Sequence, residues 1–501
     1  MKNLFRSFGI LAVSAMALAS CSNKGGEASS ATGWKYNDAE WGGFEKKQYE
    51  GQIDGPNLVL VEGGTFTMGQ TQEDIVWEYN YTPRRVTVSS FYMDETEVTN
   101  SNYREYLWWL KDKYYETYPE VYRKALPDTL VWRDELAFNE PYVETYFRHP
   151  AYDDYPVVGV SWLQASDFCK WRSNRVNEMI LVDRGILNLT PDSKGSDVFD
   201  TKAYLSGQYQ GSVKKNVPDI VTGGERPVMF DDGILLPDYR LPTEAEWEFA
   251  ALALPGNQPS SNDEVYIESR FFPWNHNTAR YKKRTANQGR ILANFKRGEG
   301  DYMGVSGNLN DNASFPAPVR SYLPNDFGLY NMAGNVNEWV LDVYRATTST
   351  TLNDAENQDL NPYRGNRFKT LVIDENGNPV EKDSLGSLKY RDVTDEESKL
   401  RENYIKGDVI NHEDGNADYI KYLYGESTLI SDKSRVFKGG SWSERLYWLQ
   451  PGTRRYKDED KSDRNLGFRC AMVRVGGQAG NEDVGGNMFQ EKGRNIKRRY
   501  K

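Results

Sequence analysis

Apolar residues repeat with helical spacing in three stretches of the chain, and each stretch follows a residue that can cap a helix. The caps and the apolar faces that follow them are Thr99 or Asn100 with Tyr103, Tyr106, Leu107 and Leu110; Ser161 with Trp162, Ala165, Phe168 and Cys169; and Thr243 with Trp247, Ala250 and Ala251. Side chains three and four residues apart share one face of a helix. Glu246 follows Thr243 at the spacing of a capping box. The pattern predicts three helices, with Cys169 on a buried face.

Short apolar runs between Gly and Pro residues predict strands at residues 58–61, 85–91 and 435–438. Apolar residues on both sides of an Asn-Gly pair predict a hairpin within residues 371–380. Two long regions, 172–238 and 345–432, are polar and rich in turn residues. We interpret them as insertions with a function. The alternative is that they are solvated surface segments without one. Because the remainder shows no sustained period, we expect an α+β domain with little regular secondary structure.

The first residues have the pattern of a bacterial lipoprotein signal. Lys2 and Arg6 precede an apolar run at residues 8–18, and small residues stand directly before Cys21. This run is too short to span a bilayer, so it predicts a signal peptide at residues 1–20. Cys21 would then be the lipidated first residue of a tether and aromatic segment, residues 21–55. An ordinary signal peptide with an incidental Cys is the alternative.

The expected location is the periplasmic side of the outer membrane. No Asp directly follows Cys21, and in many bacteria an Asp there retains lipoproteins in the inner membrane. No acidic cluster follows Cys21 either. In lipoproteins of the Bacteroidetes type such a cluster marks export to the cell surface. The cell surface remains the alternative.

Composition narrows the class of protein. Of 501 residues, 38% are hydrophobic and 13% aromatic, which is enough for a sizeable core and unlike a disordered chain. The formal charge of −11 argues against nucleic-acid binding. Only three His occur, far apart, which argues against a His-rich metal centre. Residues 476–501 form a basic tail, either solvated or docked on an acidic partner or anionic headgroups.

Apart from Cys21, the chain has two cysteines, Cys169 and Cys470. An even number of cysteines in an oxidising compartment favours a disulfide. Two separate buried thiols are the alternative on these grounds.

Eight motifs in chain order carry a resemblance to a known family. They are VEGGTFTMG (61–69), PRRVTV (83–88), EVTN (97–100), PVVGVSW (156–162), RLPTEAEWE (240–248), GLYNMAGNVNEW (328–339), RVFKGGSW (435–442) and NLGFRC (465–470). The series resembles the formylglycine-generating enzyme, or sulfatase-modifying factor, domain over residues 56–475. The resemblance implies one domain of the C-type-lectin-like kind. It also implies a structural disulfide, because Cys169 and Cys470 match the positions that form one in family members.

The resemblance also identifies the positions that carry catalysis in the family. Active members oxidise a substrate cysteine with two cysteines of their own, which hold copper(I) as soft thiolates. These cysteines stand second and seventh after the aromatic residue of the Gly-Gly-Ser-aromatic motif, which is Trp442 here. The two positions are occupied by Glu444 and Leu449. We therefore predict a protein without the family's oxidase activity.

Structural calcium is a further property that the resemblance implies. Calcium prefers six to eight oxygen ligands from carboxylates, amides and backbone carbonyls. Motif alignment assigns two possible sites, one formed by Asn331, Gly334, Val336 and Glu338, the other by Asn294, Phe295, Asp311 and Ala313. The alternative is that these residues only connect loops.

The lipoprotein signal, an aromatic segment with Trp34 and Trp41, and the two insertions suggest a narrower resemblance. Together they resemble the lipoproteins of gliding motility and type IX secretion of the GldK/PorK type, with GldJ a close relative. The resemblance implies a non-catalytic scaffold that self-associates into a large ring. A periplasmic partner of the GldN/PorN type would bind it, with an outer-membrane barrel protein nearby.

Two other functions remain open from sequence alone. The first is a lectin-like ligand-binding lipoprotein of the cell envelope, which the aromatic-rich fold would suit. The second is an enzyme of altered chemistry that uses the charged residues Glu444, Arg445, Arg454 and Arg455.

Overall fold

The computed structural model describes residues 28–69, 81, 83–253, 270–275, 277–298, 313, 315–344, 369–392, 433–477 and 480. The predicted signal peptide, Cys21, Asp311 and most of the basic tail lie outside these residues. Within the described part, no helix combines the length and apolar character needed to cross a membrane.

The helices are short apart from two. In chain order they are α1 (Asn100–Tyr114), α2 (Pro119–Ala125), α3 (Glu140–Thr145), α4 (Trp162–Asp183), α5 (Thr201–Leu205) and α6 (Glu244–Leu252). The three predicted helices are α1, α4 and α6, and each begins with a capping box, on Thr99, Ser161 and Thr243 respectively. Their predicted inner faces are buried, except that Trp162 is half-buried. Helical period and capping residues therefore predicted these elements correctly.

The strands are short and form several small sheets. In chain order they are β1 (Leu58–Val61), β2 (Gly64–Met68), β3 (Arg84–Val88), β4 (Phe91–Asp94), β5 (Val217–Pro218), β6 (Glu225–Arg226), β7 (Tyr239–Arg240), β8 (Asn337–Val343), β9 (Lys369–Leu371), β10 (Tyr390–Asp392), β11 (Ser434–Lys438), β12 (Arg455–Asp458), β13 (Leu466–Gly467) and β14 (Ala471–Val473). One sheet has the order β1-β4-β14-β7 and another has the order β12-β11-β8-β13. In the second sheet, β13 runs parallel to β8.

The strand predicted at residues 85–91 is wrong as a single element. The structure divides it into β3, which pairs with β2, and β4, which pairs with β1 and β14. At the division, Ser90 accepts a hydrogen bond on Oγ from the Gly63 N–H at 2.9 Å. A side chain satisfies the backbone there, so the chain can leave one sheet for another.

Two apolar clusters form the main core. The first packs α1 and α4 against β14 and contains Tyr103, Phe168 and Phe468. The second packs β2 and β3 against α6 and β8 and contains Phe66 and Trp247. β11 contributes Phe437 to the first cluster and Val436 to the second, so this strand joins the two cores.

The first residues of the predicted insertion at 172–238 are helical, because α4 continues to Asp183. The rest of that region has an apolar cluster of its own, which includes Ile186, Phe199, Tyr204, Val228 and Leu235. The region is therefore packed rather than loosely solvated.

Part of the second insertion folds against the first. The predicted hairpin is present, with Ile373 bridged to Pro379 and Gly377 at a φ of +82° in the turn. Gln208 of the first insertion accepts a hydrogen bond from the Lys382 N–H at 2.7 Å and donates to the Pro379 carbonyl at 3.2 Å. The two insertions thus form a common surface layer, as far as residues 369–392 describe the second.

Candidate functional site

The two positions aligned with the family's catalytic cysteines follow β11, where the chain turns sharply. Gly439 and Gly440 have φ values of +100° and +70°, a region that favours glycine. A Cβ atom on Gly440 would lie 2.7 Å from Leu449 Cδ1 and 2.8 Å from the Trp448 carbonyl oxygen. The turn therefore requires glycine, and it holds the 3₁₀ helix Leu446–Leu449 directly against the end of the strand.

Glu444, at the first of these positions, is held in an ion pair with Arg455. Arg455 Nη2 donates to Glu444 Oε2 at 2.8 Å, and Arg455 Nη1 donates to Oε1. Asn337 Nδ2 donates to Oε2 at 3.1 Å. The guanidinium also lies 4.5 Å from the centre of the Trp448 ring. Both carboxylate oxygens are therefore engaged, and the side chain acts as part of a fork-shaped pair.

Leu449, at the second position, is fully buried. It packs in an apolar cluster with Phe272, Ile291, Phe295 and Ala333. A leucine has no atom that can ligate a metal or attack a substrate, and its surroundings are apolar. The position that the resemblance aligns with a catalytic thiol is thus part of the core here.

Of the hypothetical altered active site, only Arg455 pairs with Glu444 among the contacts described above. Arg454 is buried and donates from Nη2 to Glu244 at 2.8 Å. Arg445 is exposed at the start of the 3₁₀ helix. The structure therefore pairs Glu444 with Arg455 and places Arg454 on a different carboxylate, Glu244, instead of gathering all four residues at one reacting centre.

Arg454 belongs to a fully buried ionic network. Lys438 Nζ lies 2.7 Å from Glu248 Oε2 and 3.3 Å from Glu244 Oε1. Burial acts to raise the pKa of Glu244, but Arg454 and Lys438 outweigh it and hold that pKa below its usual value. The charges are thus matched within the network, which is the condition for keeping them in a core.

Asp342 lies beside this network, and no cationic side chain among the described residues forms an ion pair with it. Its Oδ2 accepts the Glu244 N–H at 2.6 Å, and Oδ1 has no hydrogen-bond partner within the described part of the chain. Burial and the neighbouring carboxylates of Glu244 and Glu246 raise the pKa of Asp342 to about 8. Asp342 is therefore largely protonated at neutral pH.

Glu338, assigned to the first calcium site, is paired with Arg469. Arg469 Nε and Nη2 each lie 2.6 Å from a carboxylate oxygen of Glu338, and Trp247 Nε1 donates to it at 2.7 Å. Asn331 Nδ2 donates to Glu97 at 3.0 Å. A guanidinium on both oxygens of Glu338 would repel a nearby cation. In this arrangement Arg469 occupies both carboxylate oxygens of Glu338, and calcium at the first site stays a prediction.

The remaining residues assigned to calcium lie in tightly bonded loops. The Gly334 N–H donates to the Gly439 carbonyl, and the Asn294 carbonyl accepts the Asn335 N–H at 2.9 Å. Val336, Phe295 and Ala313 are buried. Because Asp311 lies outside the described residues, the second site has no described carboxylate, and calcium remains a prediction.

Cys169 and Cys470 meet in the core, as the resemblance implies. Their sulfur atoms lie 3.3 Å apart and both residues are buried. This distance exceeds the length of a disulfide bond, which is about 2.05 Å, so the two residues are thiols in this structure. The disulfide remains a prediction, and the juxtaposition of the two sulfur atoms is what it requires.

Glu97 is a buried residue that sequence analysis did not single out. Asn331 and Asn335 donate to its two carboxylate oxygens at 3.0 and 2.9 Å. Burial raises its pKa to about 7, and the nearby Arg469 opposes that rise. The EVTN motif contains Glu97, but nothing in the motif reveals partners more than two hundred residues away in the chain.

The described geometry agrees with a direct match to a family model. Residues 44–474 match the sulfatase-modifying factor enzyme 1-like domain. The chain therefore belongs to the sulfatase-modifying factor, or formylglycine-generating enzyme, domain family, and its α+β fold is the fold of that family.

Individual relatives include active and inactive proteins. A formylglycine-generating enzyme of Mus musculus is 26% identical, over 57% of this chain and 58% of the enzyme, so the chain spans little more than half of it. An inactive C-alpha-formylglycine-generating enzyme 2 of Bos taurus is 25% identical, over 58% of this chain and 72% of that protein. A chaperone protein named LppX from Paenibacillus barcinonensis is 26% identical, over 56% and 70%.

A solved structure of PvdO from Pseudomonas aeruginosa is also similar. It is 16% identical, and the match covers 85% of this chain and 99% of PvdO with a TM-score of 0.41.

Proposed function

We propose that the protein is a non-catalytic member of its family that serves as a scaffold in the type IX secretion and gliding motility machinery. One observation carries the non-catalytic half of this proposal. The two positions that hold copper(I) in active members are a carboxylate locked to Arg455 and a leucine buried in the core. Copper(I) prefers soft sulfur ligands, and neither residue supplies one.

The relatives are compatible with a loss of catalysis. Proteins named inactive formylglycine-generating enzyme 2 and a protein named a chaperone match over more than half of this chain. Fold alone does not define function, so the domain can be retained for assembly after its chemistry is lost.

The scaffold half of the proposal rests on the lipoprotein signal and the insertions. Lipidated Cys21 would anchor the protein to the periplasmic side of the outer membrane. The layer in which Lys382 contacts Gln208 adds a folded surface to the family domain. We propose that this layer contributes contacts to a large ring of identical subunits. A GldN/PorN-type protein and an outer-membrane barrel protein would be the partners.

The size and composition of the native particle tests the scaffold. The full chain, tagged after Lys501, would be extracted from host membranes in mild detergent and separated by size. We expect a very large, regular assembly that contains a second periplasmic protein in fixed ratio. A Cys21→Ser variant should leave the membrane fraction, because it cannot be lipidated. A single chain without a partner would overturn the scaffold and return weight to a lectin-like ligand-binding function.

A further inference from the structure

A structured loop at residues 280–290, here called the basic loop, projects cations from the family domain. Its two sides are joined by backbone hydrogen bonds, from the Tyr281 N–H to the Arg290 carbonyl and from the Gly289 N–H to the Tyr281 carbonyl, each 2.9 Å long. Lys282, Lys283 and Arg284 are exposed on it. The loop therefore presents its charges from a defined backbone.

The charge of this region opposes that of the chain as a whole. Residues 277–298 contain no Asp or Glu, and their cations are Arg280, Lys282, Lys283, Arg284, Arg290, Lys296 and Arg297. The whole chain has a formal charge of −11. Among the described residues, Lys282, Lys283, Arg284 and Arg290 have no ion pair with an acidic side chain. Clustered cations without counter-charges repel one another and attract an anionic ligand.

A cavity of about 170 Å³ opens beside the basic loop. Lys282 and Lys283 are exposed residues of its lining, here called the rim, and Trp274 and Tyr281 also line it. The buried residues of its lining, here called the floor, are mostly apolar: Pro273, Leu292, Leu329, Met332 and Ala333, with the polar Asn331 beside them. An apolar cavity of about 150 Å³ holds a benzene molecule. This cavity therefore has room for one apolar side chain of a ligand.

The cavity lining contains one acidic residue, Asp326, and its charge is balanced by an arginine of the same chain. Asp326 pairs with Arg270 at 2.7 Å, so it does not cancel the charge of Lys282 and Lys283. A free phosphate would use only the cationic rim, and a bilayer would not enter the cavity. An acidic peptide with an apolar side chain uses both features.

We propose that the basic loop and its cavity bind an acidic segment of a partner protein. One apolar side chain of that segment enters the cavity, and carboxylates on either side pair with Lys282 and Lys283. The association is faster at low salt, since unscreened charges steer the encounter. The site does not depend on the scaffold role, because its features lie in the family domain.

Labelled peptides test the site directly. The probe is a short fluorescein-labelled peptide with Glu residues on both sides of a single Leu, titrated with the detergent-purified full chain. Two control peptides replace every Glu by Gln, or the Leu by Ser. We expect the probe to bind and both controls to bind at least about tenfold more weakly. No binding of the probe, or equal binding of the Ser control, would overturn the proposal.

Charge-reversed variants separate the site from the net charge of the chain. A Lys282→Glu/Lys283→Glu variant should lose at least about tenfold in affinity for the probe. The matched control is Lys214→Glu/Lys215→Glu, which reverses the charge of two consecutive exposed lysines outside the site. Its affinity for the probe should stay within about twofold of that of the unaltered protein. Equal losses in the two variants would overturn the proposal. Displacement of the probe by tripolyphosphate as effectively as by the unlabelled peptide would also overturn it and indicate simple ion exchange.

Discussion

Leu449 and Glu444, which the resemblance aligns with catalytic cysteines, both contribute to the packing and bonding of this structure. Leu449 fills an apolar cluster that a smaller thiol side chain would leave less well packed. Glu444 accepts hydrogen bonds from both Arg455 and Asn337, so its removal would take away an acceptor from each of these donors. Each residue thus has a role in stability that is independent of chemistry.

Truncation of Leu449 should be costly. In a Leu449→Ala variant we expect the free energy of unfolding to fall by about 2–5 kcal/mol, because a fully buried leucine leaves a cavity. Urea unfolding of the full chain measures this change. The control is Leu130→Ala, since Leu130 is 56% exposed and should change stability by about 0.5 kcal/mol or less. Equal effects of the two substitutions would contradict the placement of Leu449 in the core.

Asp342 should make stability depend on pH. Its pKa is about 8 in the folded protein, against a usual value of 3.8 for an exposed Asp. Between these two pH values the folded state therefore holds a proton that the unfolded state has lost. Its contribution to stability is fully present below about pH 4 and is lost as pH rises through about 8. The slope reaches at most about 1.4 kcal/mol per pH unit.

An Asp342→Asn variant isolates this contribution. The variant does not titrate at this position and can still accept the Glu244 N–H. We therefore expect its free energy of unfolding to fall less steeply than that of the unaltered protein between about pH 5 and 8. Identical slopes in the two proteins would contradict the raised pKa of Asp342.

At the scale of elements, prediction from sequence succeeded where the signal was local. Helices α1, α4 and α6 each combine a cap with an apolar face, so their starts could be located from nearby residues. The division between β3 and β4 could not, because it depends on which distant strand each segment meets. The ion pair between Glu338 and Arg469 joins residues from different elements and was missed for the same reason.

The contact between α4 and β14 should be covalent in an oxidising compartment. Cys169 lies on α4 and Cys470 directly precedes β14, with their sulfur atoms 3.3 Å apart. Protein harvested with thiols blocked, then unfolded, should yield these two reactive cysteines only after reduction. Cys169→Ala should lose up to about 5 kcal/mol of stability, since the bond closes a long loop. Two alkylated thiols without reduction would contradict the disulfide.

At the scale of the whole molecule, the family and its fold could be predicted from eight collinear motifs, and the family match over residues 44–474 confirms them. The basic loop and its cavity could not be predicted. The loop is visible in the sequence as a run of cations, but the apolar floor comes from residues such as Leu329 and Met332, more than thirty positions later. Only the folded chain places the two features together.

A direct assay of cysteine oxidation tests the central proposal that the chain lacks the oxidase activity of active family members. The full chain and the related Mus musculus formylglycine-generating enzyme would each be incubated with copper(I), oxygen and a cysteine-containing peptide, and any aldehyde would be captured with a hydrazide. We expect aldehyde from the mouse enzyme alone, because Glu444 and Leu449 provide no thiolate. Copper-dependent aldehyde formation by this chain, abolished in a Glu444→Ala variant, would contradict the account.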